Sequence, residues 1–333
     1  MQQKPRIAAV LGPTASGKTA LAAALAQAFD GEVISADSMQ IYEGMDIATA
    51  KPTIEEMGGV PHHLIGYVRP DEPYSLGRYL ADAGAAAADI LARGRLPILC
   101  GGTGLYLDTF LDNRDIGAVG EDPAVRAELT ALAAEKGGEY LLSLLRECDP
   151  EAAASLHPNN LPRIIRALEV CRTAGMTMTE LQRRSRETEP LYDSLRIGIT
   201  CRDRQNLYDR IDRRVDRMLA QGLLAEAERF LDADIRTSAQ AIGYKELFPY
   251  LRGECSLEEA VFSLKQATRR YAKRQLTWFK RDGRVYWLYS DEQGEAGVLA
   301  EAKKLLNAFL NGENLEKPAL LDEFPGKVRK IFR

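Results

Sequence analysis

The sequence predicts an α/β protein: a parallel sheet covered by helices on both faces, an all-helical insertion, and a helical C-terminal region. Three observations predict it. Apolar strand-like segments recur at 7–11, 32–36, 96–100, 196–200 and 285–289, with helical patterns between them; that alternation marks a parallel sheet with crossover helices. The first segment runs straight into Gly12-Pro13-Thr14-Ala15-Ser16-Gly17-Lys18-Thr19, which fits GxxxxGK[ST]. From about Arg114 to Leu195 the strand signal vanishes.

The segment 7–11 reads as a buried strand, and the Ala/Leu-rich stretch from Lys18 to about Phe29 as the helix leaving the loop. This is a P-loop NTPase-like core. Its glycines let backbone N–H groups turn inward around phosphate, and the helix N-terminus adds its positive dipole end. Gly12, Pro13, Thr14, Ala15, Ser16 and Gly17 form the expected cradle. Lys18 would reach the outer phosphate oxygens, and the Thr19 hydroxyl would ligate Mg²⁺.

The segment 32–36 ends at Asp37 and continues as Ser38-Met39-Gln40-Ile41-Tyr42; the segment 96–100 ends at Gly101-Gly102-Thr103-Gly104. Ligands of parallel sheets gather at the carboxyl ends of strands, so the three loops are expected to share one site. Four regions follow: a first core part, 1–113; a helical insertion, 114–195; a second core part, 196–290; and a C-terminal helix and tail, 291–333.

Within the insertion, Asp122-Pro123 and Asp149-Pro150 read as N-cap followed by Pro at the first helical position, and Asn160 and Gly175 bound a helix over 161–174. Asp203 caps a helix reaching Met218, and Ser256-x-x-Glu259 is a capping box opening a long helix toward Arg281. In that helix Leu257, Val261, Leu264, Ala267, Tyr271 and Trp278 form the predicted core stripe. Residues 265–284 carry eight Lys/Arg against one acidic residue, Asp282. A solubilising face would interleave acids, so phosphate-backbone binding is the reading. The tail after Asn311 shows no pattern and is expected to be partly disordered.

Composition excludes several classes. Hydrophobic residues are 45%, charged residues 28% and the formal net charge −4, ordinary for a globular enzyme, so any nucleic-acid surface must be local. Five scattered cysteines without a CxxC pair suit a reducing compartment, and adjacent His62 and His63 take structural roles. With no signal-peptide core and no membrane-length apolar run, a cytoplasmic location is expected. No obligate protein partner is indicated, and a monomer is expected.

A GTPase would need NKxD, which is absent, and 33–37 is a poor Walker-B strand. A small-molecule kinase would use the P-loop and Asp37 but leave the basic helix idle. An RNA-binding regulatory protein would use the helix but give Asp37 no task.

Taken together, the phosphate loop, Asp37-Ser38-Met39-Gln40-Ile41-Tyr42, Thr49-Ala50-Lys51-Pro52-Thr53, Val60-Pro61-His62-His63-Leu64-Ile65, Gly101–Tyr106, Ala241-Ile242-Gly243-Tyr244-Lys245-Glu246 and Lys273-Arg274-Gln275-Leu276-Thr277-Trp278 resemble the tRNA dimethylallyltransferase family over roughly residues 5–290. Ala48 stands where the family usually has Gly, and Gly66 where it often has Asp. The zinc-finger extension of eukaryotic members is lacking, so a bacterial-type enzyme is expected.

The resemblance implies transfer of a dimethylallyl group from dimethylallyl diphosphate to the exocyclic amine of the adenosine just 3′ of the tRNA anticodon. An adenine amine is a poor nucleophile, whereas an allylic diphosphate ionises readily once its departing charge is neutralised. Such chemistry needs an anion cradle beside a base. Asp37, next to the cradle, is the expected proton acceptor, and Gln40 the expected bidentate reader of the adenine edge. The resemblance places Ser38, Met39, Thr103, Arg126, Pro162, Arg163, Ile164, Ile165, Arg166, Gly243, Tyr244, Lys245, Lys273, Arg274, Gln275 and Trp278 at the anticodon stem-loop, with Thr103 also counted among the expected catalytic residues. It gives Arg214 a role at the diphosphate, with Arg210 and Arg213 close enough in sequence to leave that choice open.

Overall fold

The computed structural model describes residues 4–114, 120–232, 241–319 and 321. The end of the patternless tail, 322–333, lies outside them. The chain divides into two compact units, residues 1–107 with 192–333, and residues 108–191.

The first unit is built on β1 (Arg6–Leu11), β2 (Gly31–Ser35), β3 (His62–His63), β4 (Leu96–Gly101), β5 (Asp193–Thr200) and β6 (Val285–Tyr289). Among the described residues they form one six-stranded sheet, β3-β2-β4-β1-β5-β6, with every pairing parallel. Five of these strands are the segments read from sequence. β3 is two residues long, too short to show any periodicity. In β1 the run from Ile7 to Leu11 is buried throughout, as a strand covered on both faces requires.

Two charged residues are nonetheless buried in the strands. Glu32 accepts from Arg93 Nη2 at 2.9 Å, Arg95 Nη1 at 2.8 Å and His63 Nε2 at 2.7 Å. Arg196 pairs with Asp282. A buried charge holds only when paired in this way.

On one face α1 (Lys18–Ala28) and α13 (Ser290–Asn311) cover the sheet, with Leu21 and Leu25 joining Val298, Ala302 and Leu306 over Val10, Ile98 and Ile197. The remaining helices of this unit are α2 (Ile54–Met57), α3 (Leu76–Ala92), α9 (Arg204–Ala220), α10 (Leu223–Glu228), α11 (Tyr244–Leu251) and α12 (Leu257–Phe279), and α4 (Gly104–Leu111) begins in it and ends in the second unit. Leu207 and Ile211 of α9 pack with Ala272 and Leu276 of α12.

The second unit contains α5 (Pro123–Cys148), α6 (Pro150–Ser155), α7 (Leu161–Ala174) and α8 (Met178–Ser185) around Leu129, Leu141, Leu145, Ile164 and Leu168. The side chains of Asp122, Asp149, Asp203 and Ser256 all cap their helices as read from sequence. Asn160 sits at the N-cap position of α7 without a side-chain cap bond. No helix among the described residues is long and apolar enough to cross a membrane.

The core stripe of α12 requires correction. Its buried residues are Ala260, Leu264, Ala272, Gln275, Leu276 and Phe279, while Leu257 is exposed and Tyr271 and Trp278 only partly buried. The helix is turned from the sequence expectation because one side of it faces a cavity rather than apolar core.

Candidate active site

The loops after β1, β2 and β4 meet at the carboxyl edge of the sheet, since β2, β4 and β1 are consecutive neighbours. The phosphate loop leaves β1 at Gly12, whose φ is +152° and where a Cβ would lie 2.3 Å from the Ile199 carbonyl oxygen. Only glycine fits that approach. Gly17, left-handed, begins α1 without any side-chain cap, leaving the first helical amides for an anion. Among the described residues Ser16 Oγ is buried without a hydrogen-bond partner, which leaves its hydroxyl able to donate to a phosphate oxygen.

Lys18 Nζ donates to Pro13 O at 3.3 Å, folding back over its own loop. Burial pushes its pKa down, and the charge of Arg214 adds to this; Cys100 and Asp37 act in the opposite sense. Burial also lowers the pKa of Arg214, against the attraction of Asp37. Two cations are therefore held close together with one nearby carboxylate, an arrangement that favours a multiply charged anion between them.

These groups line a cavity of about 500 Å³. Thr14, Lys18, Thr19, Asp37, Gln40, Arg214, Arg274 and Gln275 supply its polar lining, and Val215, Met218, Leu223, Ile242 and Leu264 its apolar lining. Of the three candidate arginines, Arg214 lines it. Arg210 Nη1 donates to Ser290 Oγ at 2.8 Å, and Arg213 Nε donates to Asp209 O at 3.3 Å.

Asp37 Oδ1 accepts the Met39 amide at 2.9 Å, which fixes the carboxylate at the cavity edge. The loop is tied to its neighbour by Thr103, whose Oγ1 accepts from Ser38 N at 3.1 Å and whose own amide donates to Ala36 O at 3.1 Å. Among the described residues no three His, Cys, Asp or Glu gather to hold a metal by themselves. The Thr19 hydroxyl and Asp37 carboxylate share the cavity. Such hard oxygen donors suit a cation that takes its remaining ligands from phosphate and water.

Several expected RNA contacts are spent internally. Gln275, 5% exposed, accepts from Thr14 N at 2.9 Å and donates to Gly102 O at 3.0 Å, bolting the phosphate loop to the Gly101–Gly104 turn. Gln40 Nε2 donates to Thr49 O and Ala50 O at 3.2 and 3.1 Å, so its amide protons hold a turn rather than await a base edge. Tyr244 is fully buried with its hydroxyl on Glu226 at 2.9 Å. Ile164 and Ile165 belong to the core of the second unit, where apolar packing claims them.

The other expected contacts keep an outward or cavity-facing side. Pro162 and Arg163 are exposed, as are Lys245, Lys273 and Arg274. Ser38, Met39, Gly243 and Lys245 line the cavity. Trp278 lies over Gly104 and, with Arg270, Lys273, Arg274, Thr277 and Arg281, lines a second, basic recess. Arg126 Nη2 and Arg166 Nη1 both reach buried Glu169, at 2.8 and 2.7 Å. The run 265–284 is not uniformly available: Lys265 pairs with Asp216 at 2.5 Å, and Arg269 Nε donates to Asp212 Oδ1 at 2.9 Å. The missing acids are supplied by α9.

Sequence reasoning missed Tyr271 and the apolar wall. Tyr271 was placed in the core stripe, yet it lines the cavity, and burial first, then nearby Asp37, raises its pKa and keeps the phenol protonated. Its position three and four residues before Arg274 and Gln275, hence on the same helical face, was the available signal.

Comparison with known proteins agrees with this geometry. A family profile described as IPP transferase matches residues 40–282, and one described as isopentenyl transferase matches residues 5–65. The chain is 50% identical over 286 residues to the tRNA dimethylallyltransferase of Bacillus licheniformis, covering 85% of this chain and 90% of that protein. It is 48% identical over 304 residues to that of Acetivibrio thermocellus, covering 90% and 97%. Among solved structures, the tRNA isopentenylpyrophosphate transferase of Bacillus halodurans superposes with a TM-score of 0.70 at 43% identity, over 93% of this chain and 98% of that one. A eukaryotic dimethylallyltransferase captured acting on tRNA gives a TM-score of 0.82 at 30% identity, over 95% and 82%. With its phosphate loop, carboxylate and apolar wall on one cavity, and relatives matched over most of its length, the chain belongs to the IPP transferase family of tRNA dimethylallyltransferases.

Proposed function

We propose that this enzyme transfers the dimethylallyl group of dimethylallyl diphosphate to the N6 amine of the adenosine 3′-adjacent to the tRNA anticodon, releasing diphosphate. The observation that carries the reading is one cavity joining an anion cradle, a carboxylate and an apolar wall. Its size suits a diphosphate, a five-carbon chain and a purine together. A kinase has no need of the apolar wall beside the cradle, and that alternative is not favoured.

In this reading the phosphate-loop amides, Ser16 Oγ, Lys18 and Arg214 receive the diphosphate and stabilise the charge that grows on it as the allylic C–O bond breaks. Val215, Met218, Leu223 and Leu264 shelter the cationic allyl fragment from water. The N6 nitrogen attacks the same carbon, and its proton passes to Asp37. Thr19 would hold Mg²⁺ together with diphosphate oxygens; when bound, the ion neutralises leaving-group charge. The target base must leave its stack to reach the cavity. Exposed Lys273 and Arg274, with exposed Arg163 of the second unit, are the proposed grips on the stem-loop, while Arg126 is already held by Glu121 and Glu169; in this reading the second unit is a tRNA-binding arm.

The test is incubation of the purified protein with labelled dimethylallyl diphosphate or labelled ATP, each with and without tRNA. Label entering tRNA from the allyl donor alone supports the reading. Label entering any acceptor from ATP would overturn it.

A further inference from the structure

We propose that Glu226 is a positioning residue for the part of the cavity lining that follows Asp37, the proposed acceptor of the N6 proton, an inference that rests on the tRNA reading above. Its carboxylate on α10 is 2% exposed. Oε2 accepts from the amides of Asp46 and Ile47 at 2.9 and 2.8 Å; Oε1 accepts from the amide of Ala48 at 2.8 Å and the hydroxyl of Tyr244 at 2.9 Å. Three successive amides converging on one anion form a nest of the kind that ordinarily binds a free anion. Here the anion belongs to the chain itself, some 180 residues away in sequence.

The nest segment is a closed turn. The Ala50 amide donates to Ile47 O and the Lys51 amide to Asp46 O, both at 2.9 Å, and Thr49 Oγ1 donates to Met45 O at 2.6 Å. Its outward carbonyls, those of Thr49 and Ala50, hold Gln40 Nε2. Gly243 backs the turn, with φ +129° and space for a Cβ only at 3.2 Å from Ala48 Cβ. An alanine fits at position 48 because a glycine faces it. One buried carboxylate therefore joins two walls of the cavity, Gln40 to Thr49 on one side and Gly243 to Lys245 on the other. The phosphate loop is braced separately, through Gln275.

That separation makes the inference testable. A carboxamide at position 226 keeps the shape but offers one acceptor oxygen and turns an NH₂ toward amide donors. In the full-length protein, Glu226→Gln is expected to lower kcat/KM for tRNA by about tenfold or more, the usual effect of losing hydrogen bonds to a buried charge. Dimethylallyl diphosphate binding, measured by titration calorimetry without tRNA, should stay at the wild-type value. Tyr244→Phe should shift kcat/KM for tRNA in the same direction by less. Wild-type kcat/KM for tRNA in either variant, or parallel loss of tRNA and diphosphate binding, overturns the proposal. If Glu226→Gln does not fold, Tyr244→Phe decides alone. Wild-type protein that fails to prenylate tRNA would instead overturn the proposed function, so the two failures are distinguishable.

Discussion

Asp37 is held by its own loop, with one oxygen on the Met39 amide, so replacement by Asn keeps most of the geometry while removing proton affinity. Asp37→Asn is expected to slow single-turnover transfer from a preformed ternary complex by about 10²–10⁴, with tRNA and diphosphate affinities little changed. A near-normal single-turnover rate with poor tRNA affinity would show that Asp37 only holds the base. Lys18→Ala should abolish transfer by removing a cation that faces the leaving group, and tight ATP binding coupled to turnover in the wild type would sink the assignment of the loop to diphosphate. At this scale the sequence motifs named the right neighbourhood but not how each side chain spends its hydrogen bonds. Gln40, Gln275 and Tyr244 sit in recognisable blocks, yet all three are consumed by partners outside their own blocks, Gln40 by Thr49, Tyr244 by Glu226 and Gln275 by Thr14, the last 261 residues away. No local pattern encodes such partners.

The helix α12 shows what periodicity can and cannot deliver. Its start was legible from a capping box because capping is local; its buried face was not, because α9 and the cavity decide which side of the helix turns inward. The basic run divides accordingly. Replacing Lys273 and Arg274 by Ala should weaken tRNA binding and flatten its salt dependence by roughly 0.7–0.9 log units of slope per lost phosphate contact. Replacing Lys265 and Arg269, which are paired with Asp216 and Asp212, should change the slope little. Equal slopes for the two double variants would show that the intramolecular pairs do not withhold these charges.

Across the whole molecule, the parallel core was legible because buried strands are continuous apolar runs, and the helical block because no such run interrupts it. The seams between the two compact units fall after Leu107 and before Tyr192, where no composition change marks them. Both units keep buried carboxylates charged. Arg93 first, against burial, and then His63 and Arg95 hold the Glu32 carboxyl below its ordinary 4.5. Burial pushes Glu169 up, but Arg166, Arg126 and the Asp122 amide outweigh it and leave it below 4.5. A depressed carboxyl stabilises the fold above its unfolded pKa, and that contribution is lost as pH falls toward the folded value. Denaturant midpoints should therefore be flat from pH 7 to about 5 and drop below about 4, and Glu169→Gln should blunt the drop. An undiminished drop in the Gln variant would assign the acid sensitivity elsewhere. Gln275 carries a last consequence. It sits on α12 beside Arg274 while gripping the amide of Thr14, so the helix proposed to meet RNA is also a structural member of the diphosphate cradle. We therefore predict that occupancy by one substrate changes the affinity for the other through this brace, and linkage requires any such effect to be reciprocal. An unreactive diphosphate analogue should bind more tightly when tRNA is present, tRNA should tighten by the same factor when the analogue is present, and Gln275→Leu should uncouple the pair while leaving each able to bind alone.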